Sequence, residues 1–221
     1  MTLSRPRGAG TWTAGARKAA STVAFGLLLG IVSAGCGALG STATPNPACP
    51  TGDVRAAGTL PGLEALLPRG MVERPPDTID SGWNCSPTAL GSYVAHGVTK
   101  LLFAGATWEQ PNGGGIVTAI LSLQSGPLDA AWVEEFYTAG AVAGKHTGSV
   151  KTDRPTYRIA GQVFRIETIN DLSLQTVMIW AAGSYVHIVI VATQVSPDAV
   201  RADHDERVRI AVEVAAAVSA P

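Results

Sequence analysis

The chain from about residue 100 onward alternates apolar and polar positions in the manner of β-strands. Two such runs, Leu101–Trp108 and Ile116–Leu123, flank the turn residues Asn-Gly-Gly-Gly at positions 112–115. The second run places its apolar side chains on one face: Val117, Ala119, Leu121 and Leu123. Two strand-like runs on either side of a glycine-rich turn predict a β-hairpin.

A helical period replaces this alternation after Pro127. Leu128, Trp132 and Phe136 recur at helical spacing, and Gly144 is a suitable stop for the helix. Further strands are predicted at residues 149–157, 163–169, 174–181 and 184–192. The last of these strands is apolar on both faces, so we expect it at the centre of the sheet.

A second helix is predicted at the end of the chain, with Ser196 as its N-cap and Pro197 in its first position. Its apolar stripe consists of Val208, Ala211, Val212, Ala215 and Val218. The order of these elements predicts an α+β fold. We expect a mostly antiparallel sheet of about five or six strands, with two helices packed on one face.

The chain before residue 98 lacks such periodicity. Residues 36–58 are dominated by Gly, Ala, Ser, Thr and Pro, which predicts a flexible tether. Residues 59–97 are rich in Pro and Gly and predict an irregular segment, with one short helix between Leu60 and Pro68. The regular α+β domain is therefore expected to occupy residues 98–221.

The first 35 residues have the pattern of a signal peptide. Four basic residues lie before position 19, an apolar run follows at residues 21–32, and small residues occupy positions 33–35. The apolar run is about 12 residues long, which is short for a membrane span. This pattern predicts export across the cytoplasmic membrane.

The residues Ser33-Ala34-Gly35-Cys36 resemble the lipobox of bacterial lipoproteins. Ala34, Gly35 and Cys36 match it, whereas Ser33 stands where the family usually has an aliphatic residue. The resemblance implies cleavage before Cys36, a diacylglycerol on its thiol, and attachment to the outer face of the cytoplasmic membrane. Simple cleavage and secretion, retention as an uncut anchor, and a buried helix are the alternatives. The resemblance covers residues 1–36 only, and no motif assigns the rest of the chain to a family.

Two cysteines, Cys49 and Cys85, remain if Cys36 carries lipid. Export would place them in an oxidising compartment, so a disulfide closing a loop of about 37 residues is predicted, with free thiols as the alternative. Such a disulfide would fasten the segment 59–97 to the domain. No second Cys or His stands at ligand spacing, so no metal site is expected.

The charge pattern disfavours nucleic acid as a partner. The chain after residue 35 contains 12 basic and 17 acidic side chains, a net charge of −5. The basic residues are scattered, so they form neither a nucleic-acid footprint nor a polybasic patch for anionic lipid headgroups.

Few residues suggest a site, and no catalytic residue or cofactor is predicted. His187 and Tyr185 lie two apart in the central strand, as core residues or as the lining of an apolar cavity. Trp83 lies in a predicted loop near Cys85 and either contacts a partner or packs over the domain edge. Asp203-His204-Asp205-Glu206 is interpreted as a solvated helix face, because neighbouring helical residues diverge by about 100°.

Two function classes follow. The first is a non-enzymatic binding module, tethered outside the membrane, for an apolar ligand in contact with His187, Tyr185 or Trp83, or for an envelope protein. The alternative is an extracytoplasmic hydrolase whose groups meet only in the fold, with His187 or His204 as the base. The absence of a catalytic motif favours the binding module.

Overall fold

The computed structural model describes residues 52–218, with gaps at residue 72, 112–113, 145–149, 154–158, 170–172 and 195–200. The predicted signal peptide, Cys36, Cys49 and most of the tether lie outside the described residues. Among the described residues, no helix is both long enough and apolar enough to cross a membrane.

One antiparallel sheet forms the centre of the fold, which confirms the predicted α+β class. Its eight strands among the described residues are β1 (Val54–Ala56), β2 (Thr78–Asn84), β3 (Leu101–Glu109), β4 (Gly115–Leu123), β5 (Val150–Asp153), β6 (Val163–Ile169), β7 (Ser173–Ala182) and β8 (Tyr185–Gln194). Their order across the sheet is β1-β2-β3-β4-β8-β7-β6-β5. The sheet therefore consists of two four-strand halves that meet where β4 pairs with β8.

The strands predicted at 101–108, 116–123, 163–169, 174–181 and 184–192 are confirmed, and within the one predicted at 149–157 the structure describes a strand at Val150–Asp153. β3 and β4 pair from Leu101 with Leu123 to Glu109 with Gly115. β7 and β8 form a second hairpin through Gly183, whose φ of 60° is in the left-handed region that favours glycine. β8 lies between β4 and β7, as its apolar character on both faces predicts.

The helices cover both faces of this sheet. They are α1 (Pro61–Glu64), α2 (Pro87–Leu90), a 3₁₀ helix (Gly91–His96), α3 (Ala130–Gly144) and α4 (Arg201–Val218). Val133 of α3 and Tyr93 of the 3₁₀ helix pack with Ile188 of β8 on one face. Val208 of α4 and Leu67, just after α1, pack with Val189 of β8 on the other. We refer to these as the α3 face and the α4 face.

The expectation that both long helices pack on one face is therefore wrong. Val186, Ile188 and Ile190 of β8 belong to the core of the α3 face. Val189 and Val191 belong to the core of the α4 face. A strand whose two faces are both apolar has to be packed against other elements on both sides. A face left in contact with water would expose a row of apolar side chains.

The expectation of an irregular segment at residues 59–97 is also wrong. The strands contributed by the chain before residue 98 explain why the sheet has more than the expected five or six strands. This segment supplies β2 and three short helices, and β1 comes from the predicted tether. β2 pairs with β3 along its whole length, from Thr78 with Thr107 to Asn84 with Leu101. Residues 54–97 are thus an integral part of the same fold.

Candidate functional site

An open groove of about 530 Å³ lies on the α4 face, at the end of the sheet where β4 ends and β8 begins. We call this the lower end of the sheet. The segment Thr59–Leu63, at the start of α1, forms one wall of the groove, and residues 123–126 together with Ser184 form another. Its remaining lining comes from Leu102, Ser122 and Tyr185 of three adjacent strands. The volume is within the range of small-molecule sites.

The α1 wall is held on β2 by a buried serine. Ser81, fully buried in β2, accepts a hydrogen bond from the backbone N–H of Leu60 at 2.7 Å. Its hydroxyl donates to the carboxylate of Glu64 at 2.7 Å, and the backbone N–H of Gly58 donates to the same oxygen at 2.7 Å. The Glu64 carboxylate therefore accepts from two donors inside the wall, and Glu64 is not among the residues that line the groove.

Tyr185 lines the groove, but the structure does not bring the three predicted ligand-binding residues together there. His187 lies on the same face two residues further along β8, only 5% exposed, with its ring stacked on Trp180 at 5.5 Å between centroids. Burial lowers the pKa of His187 to about 4, so its ring is neutral near neutral pH. His187 is a buried core residue of the α4 face and is not among the residues that line the groove.

Trp83 lies in β2 and not in a loop, which corrects the sequence-based prediction. It is half-buried beside Leu102, with which it is in register. Its indole Nε1 donates to the carbonyl of Gly52 at 3.0 Å, and the ammonium of Lys100 lies 4.3 Å from its ring centroid. These contacts place Trp83 at the domain edge next to the groove.

Cys85 is disulfide-bonded, and its partner lies outside the described residues. Asp53 holds the nearby chain in place by accepting hydrogen bonds from the backbone N–H groups of Cys85 and Ser86 at 2.6 and 2.8 Å. Cys49 is four residues before Asp53, a span of at most about 14 Å. This short span supports the predicted Cys49–Cys85 pairing.

Peptide mapping of the non-reduced protein is expected to link the peptide containing Cys49 to the peptide containing Cys85. The reason is that Cys36, the only other cysteine in the sequence, is predicted to carry the lipid. A Cys49→Ser variant should release a Cys85 thiol that an alkylating reagent labels after denaturation. Detection of a Cys36–Cys85 peptide would contradict both the pairing and the lipidation.

His204 is buried in α4, so the interpretation of Asp203–Glu206 as a solvated face is wrong at this residue. It is 1% exposed, and its Nε2 and Nδ1 atoms each lie 2.8 Å from a threonine hydroxyl, Thr176 and Thr193 respectively. Burial is the largest cause that lowers the pKa of His204 to about 4. Both ring nitrogens are thus satisfied inside the core, which is the arrangement of a structural histidine.

An ion-pair cluster next to His204 joins the first turn of α4 to β6. Glu167, 6% exposed, accepts hydrogen bonds from both Arg165 and Arg201, the latter at 2.6 and 2.7 Å. Asp205 pairs with Arg165 at 2.6 Å. Burial raises the pKa of Glu167, but the hydrogen bond from Arg201 and the charge of Arg165 outweigh it, so the carboxyl pKa lies below its usual range. This cluster fastens the helix to the sheet.

No group of three or more potential metal ligands occurs in the part of the chain that the structure describes. Comparison of the chain with protein-family models, with curated proteins and with solved structures gives no match. The class of protein is therefore defined by the fold and the groove alone: a three-layer α+β domain with an uncharged open groove at the lower end of its sheet.

Proposed function

We propose that the chain is a membrane-tethered extracytoplasmic lipoprotein whose folded part is a non-enzymatic binding module, with the lower-end groove as its site. The observation that carries this proposal is the groove lining. Apolar residues such as Leu60, Leu63 and Leu102 line it together with neutral polar ones such as Ser122 and Gln124. A concavity that combines apolar residues with polar groups able to orient a ligand is a common form of small-molecule site.

The positions of the histidines support a binding module over the alternative of a hydrolase. His204 is within hydrogen-bond distance of two threonine hydroxyls, as a base and a nucleophile would be. Thr176, however, is fully buried and Thr193 is 9% exposed, so neither hydroxyl lies at a surface that a substrate reaches. His96, on the α3 face, stacks on Trp132 and bonds to Glu135, remote from the groove.

The anchor is tested by the intact mass of the protein extracted gently from its own membranes. We expect the mass of residues 36–221 plus one diacylglycerol unit, two hydrogens short because of the disulfide. Two acyl chains bury enough CH₂ groups, at about 0.8 kcal/mol each, for stable attachment. A full-length mass, or an unmodified mass from residue 36, would overturn the anchor and leave the binding site to be judged separately.

The binding site is tested with a groove-blocking variant, Ser184→Trp, compared with wild type. Ser184 is exposed at the rim of the groove, so an indole there is expected to fill the groove without disturbing the core. Lipid extracts of purified wild-type protein should contain a bound molecule that is reduced about tenfold in the variant. The matched control is Thr88→Trp, an exposed position in α2 on the opposite side of the sheet, which should retain the ligand. Equal ligand content in all three proteins would contradict the proposed site.

A further inference from the structure

The groove combines apolar residues with neutral hydrogen-bonding groups and has no charged side chain in its lining. Leu60 and Leu63 on the α1 side and Leu102 of β3 supply apolar surface in the groove. Serine hydroxyls and the Gln124 amide lie among these apolar groups. A ligand that fits this surface has an apolar chain and uncharged groups that donate or accept hydrogen bonds.

Two charged groups close in sequence to this lining, Glu64 and Lys100, are both engaged within the protein. Glu64 follows the α1 wall directly, and its carboxylate accepts from Ser81 and Gly58. Lys100, two residues before Leu102, holds its ammonium over the ring of Trp83. An anionic headgroup in the groove would lack an available cation and would lose its hydration, which costs several kcal/mol for an unpaired charge.

Further charged side chains are paired at the other end of the sheet. Arg74 pairs there with Asp77, and Arg207 of α4 bonds to Gln110 just after β3. The ion-pair cluster around Glu167 lies at the same end. The lower end, by contrast, is where the described chain begins at Gly52, 16 residues after Cys36. A span of 16 residues reaches at most about 55 Å, so a lipidated Cys36 would keep the groove close to the membrane surface.

We infer that the groove takes an uncharged hydroxyl-bearing lipid with one acyl chain, of the monoacylglycerol type, drawn from the membrane to which the protein is tethered. This inference rests on the proposed function and specifies its ligand. The acyl chain lies along the leucines of the α1 wall, and the glycerol hydroxyls bond to Ser122, Ser184 or Gln124 at the groove. The lipid enters as a single molecule and no covalent step is involved.

The test uses three photoactivatable probes with the same acyl chain: a monoacylglycerol, the fatty acid and the alkylamine. Each is incubated with washed membranes that contain the full chain, and labelled peptides are mapped by mass spectrometry after irradiation. We expect the monoacylglycerol to label the peptides of residues 59–63 and 122–126 at least about tenfold more than either charged probe, the discrimination for one unpaired charge being 1.4 kcal/mol or more. Ser184→Lys should raise labelling by the fatty acid several-fold, whereas Ser184→Gln should not.

The outcomes separate this inference from the proposed function. If no probe labels wild type more than Ser184→Trp, the groove is not a lipid site and the proposed function fails with the inference. If the fatty acid labels the groove as strongly as the monoacylglycerol, and Lys100→Gln abolishes that labelling, the binding function stands and the uncharged ligand is wrong. Strongest labelling by the alkylamine likewise overturns the ligand class alone.

Discussion

Replacing Glu167 with glutamine is expected to destabilise the folded protein by about 3 kcal/mol, measured by urea unfolding at pH 7. The side chain of Glu167 is 8% exposed and is shared between two arginines, Arg165 and Arg201. Arg165 is itself only 17% exposed, so loss of the carboxylate leaves a largely buried guanidinium with Asp205 as its remaining acidic partner. Removal of one member of a buried pair is expensive because the other charge stays desolvated.

The matched control for this variant is Glu213→Gln in the same helix. Glu213 pairs with Arg209 at 2.7 Å, but both side chains are about half exposed, so solvent screens the interaction. The control should unfold at the urea concentration of the wild type. Arg201→Met should lie between the two, since this arginine is 47% exposed while its partner is buried. Equal midpoints for wild type and Glu167→Gln would show that the ion-pair cluster contributes nothing to stability.

Mild acid is expected to destabilise the protein before its carboxylates titrate. Burial lowers the pKa of His187 and of His204 to about 4, whereas an unfolded histidine has a pKa of about 6.5. As the pH falls from about 6.5 to 4, the unfolded chain binds protons that the folded chain refuses. The stability contributed by each neutral histidine is therefore full above pH 6.5 and is lost toward pH 4, on the order of 3 kcal/mol per residue.

The pH dependence of the free energy of unfolding, from urea titrations between about pH 7 and 5, tests this expectation. The carboxyl pKa values of Glu167, Asp205 and Asp53 are lowered in the folded protein, despite burial, by their hydrogen-bond partners. Their contributions are lost only below the unfolded values of about 4, so the chosen window reports on the histidines. His204→Gln should flatten the slope by about half, whatever its effect on absolute stability. A flat pH profile for wild type would contradict the prediction.

The strands from Leu101 onward could be predicted because they are runs rich in apolar and β-branched residues, and most are separated by turn residues. β6 was predicted at its observed bounds, and Phe164 and Ile166 face α3 while Arg165 and Glu167 face α4, as the pattern indicates. β2 could not be predicted in this way. Its sequence, Thr-Ile-Asp-Ser-Gly-Trp-Asn, contains polar residues and a glycine on positions that the fold buries, including Ser81 and Gly82. Contacts with α1 and β1 allow a serine and a glycine to be buried at those positions. No local sequence pattern indicates these contacts.

The sequence contains an indication that His204 is buried, but the charged residues around it obscure that indication. Val208, Ala211, Val212 and Ala215 form the buried stripe of α4 as predicted, although Val218 is 39% exposed. His204 precedes Val208 by four positions and therefore continues that stripe by one turn. The threonines that satisfy its ring come from β7 and β8, so only the assembled sheet explains why a histidine is stable there.

The groove lay beyond sequence reasoning for a related reason. Of its lining residues, only Tyr185 was predicted as a ligand contact, and its neighbours come from the segment 59–63, from β3 and from the end of β4. These segments are distant in sequence and carry no shared motif. The groove exists because α1 stands on the sheet at Ser81, a contact that the apparent irregularity of residues 59–97 concealed.

The seam between β4 and β8 has a consequence for how the chain reaches its native state. Each half of the sheet is a succession of neighbouring hairpins, whereas across the seam Leu121 pairs with Val186 and Gly115 with Ala192, partners 65 to 77 positions apart. Closing loops of that length is slow, because chain entropy is lost before the paired strands form stabilising contacts. The two halves are thus expected to form as separate early units, each exposing one long unpaired strand. A chain interrupted before residue 185 retains β4 as an open apolar edge, ready to pair with another copy of itself.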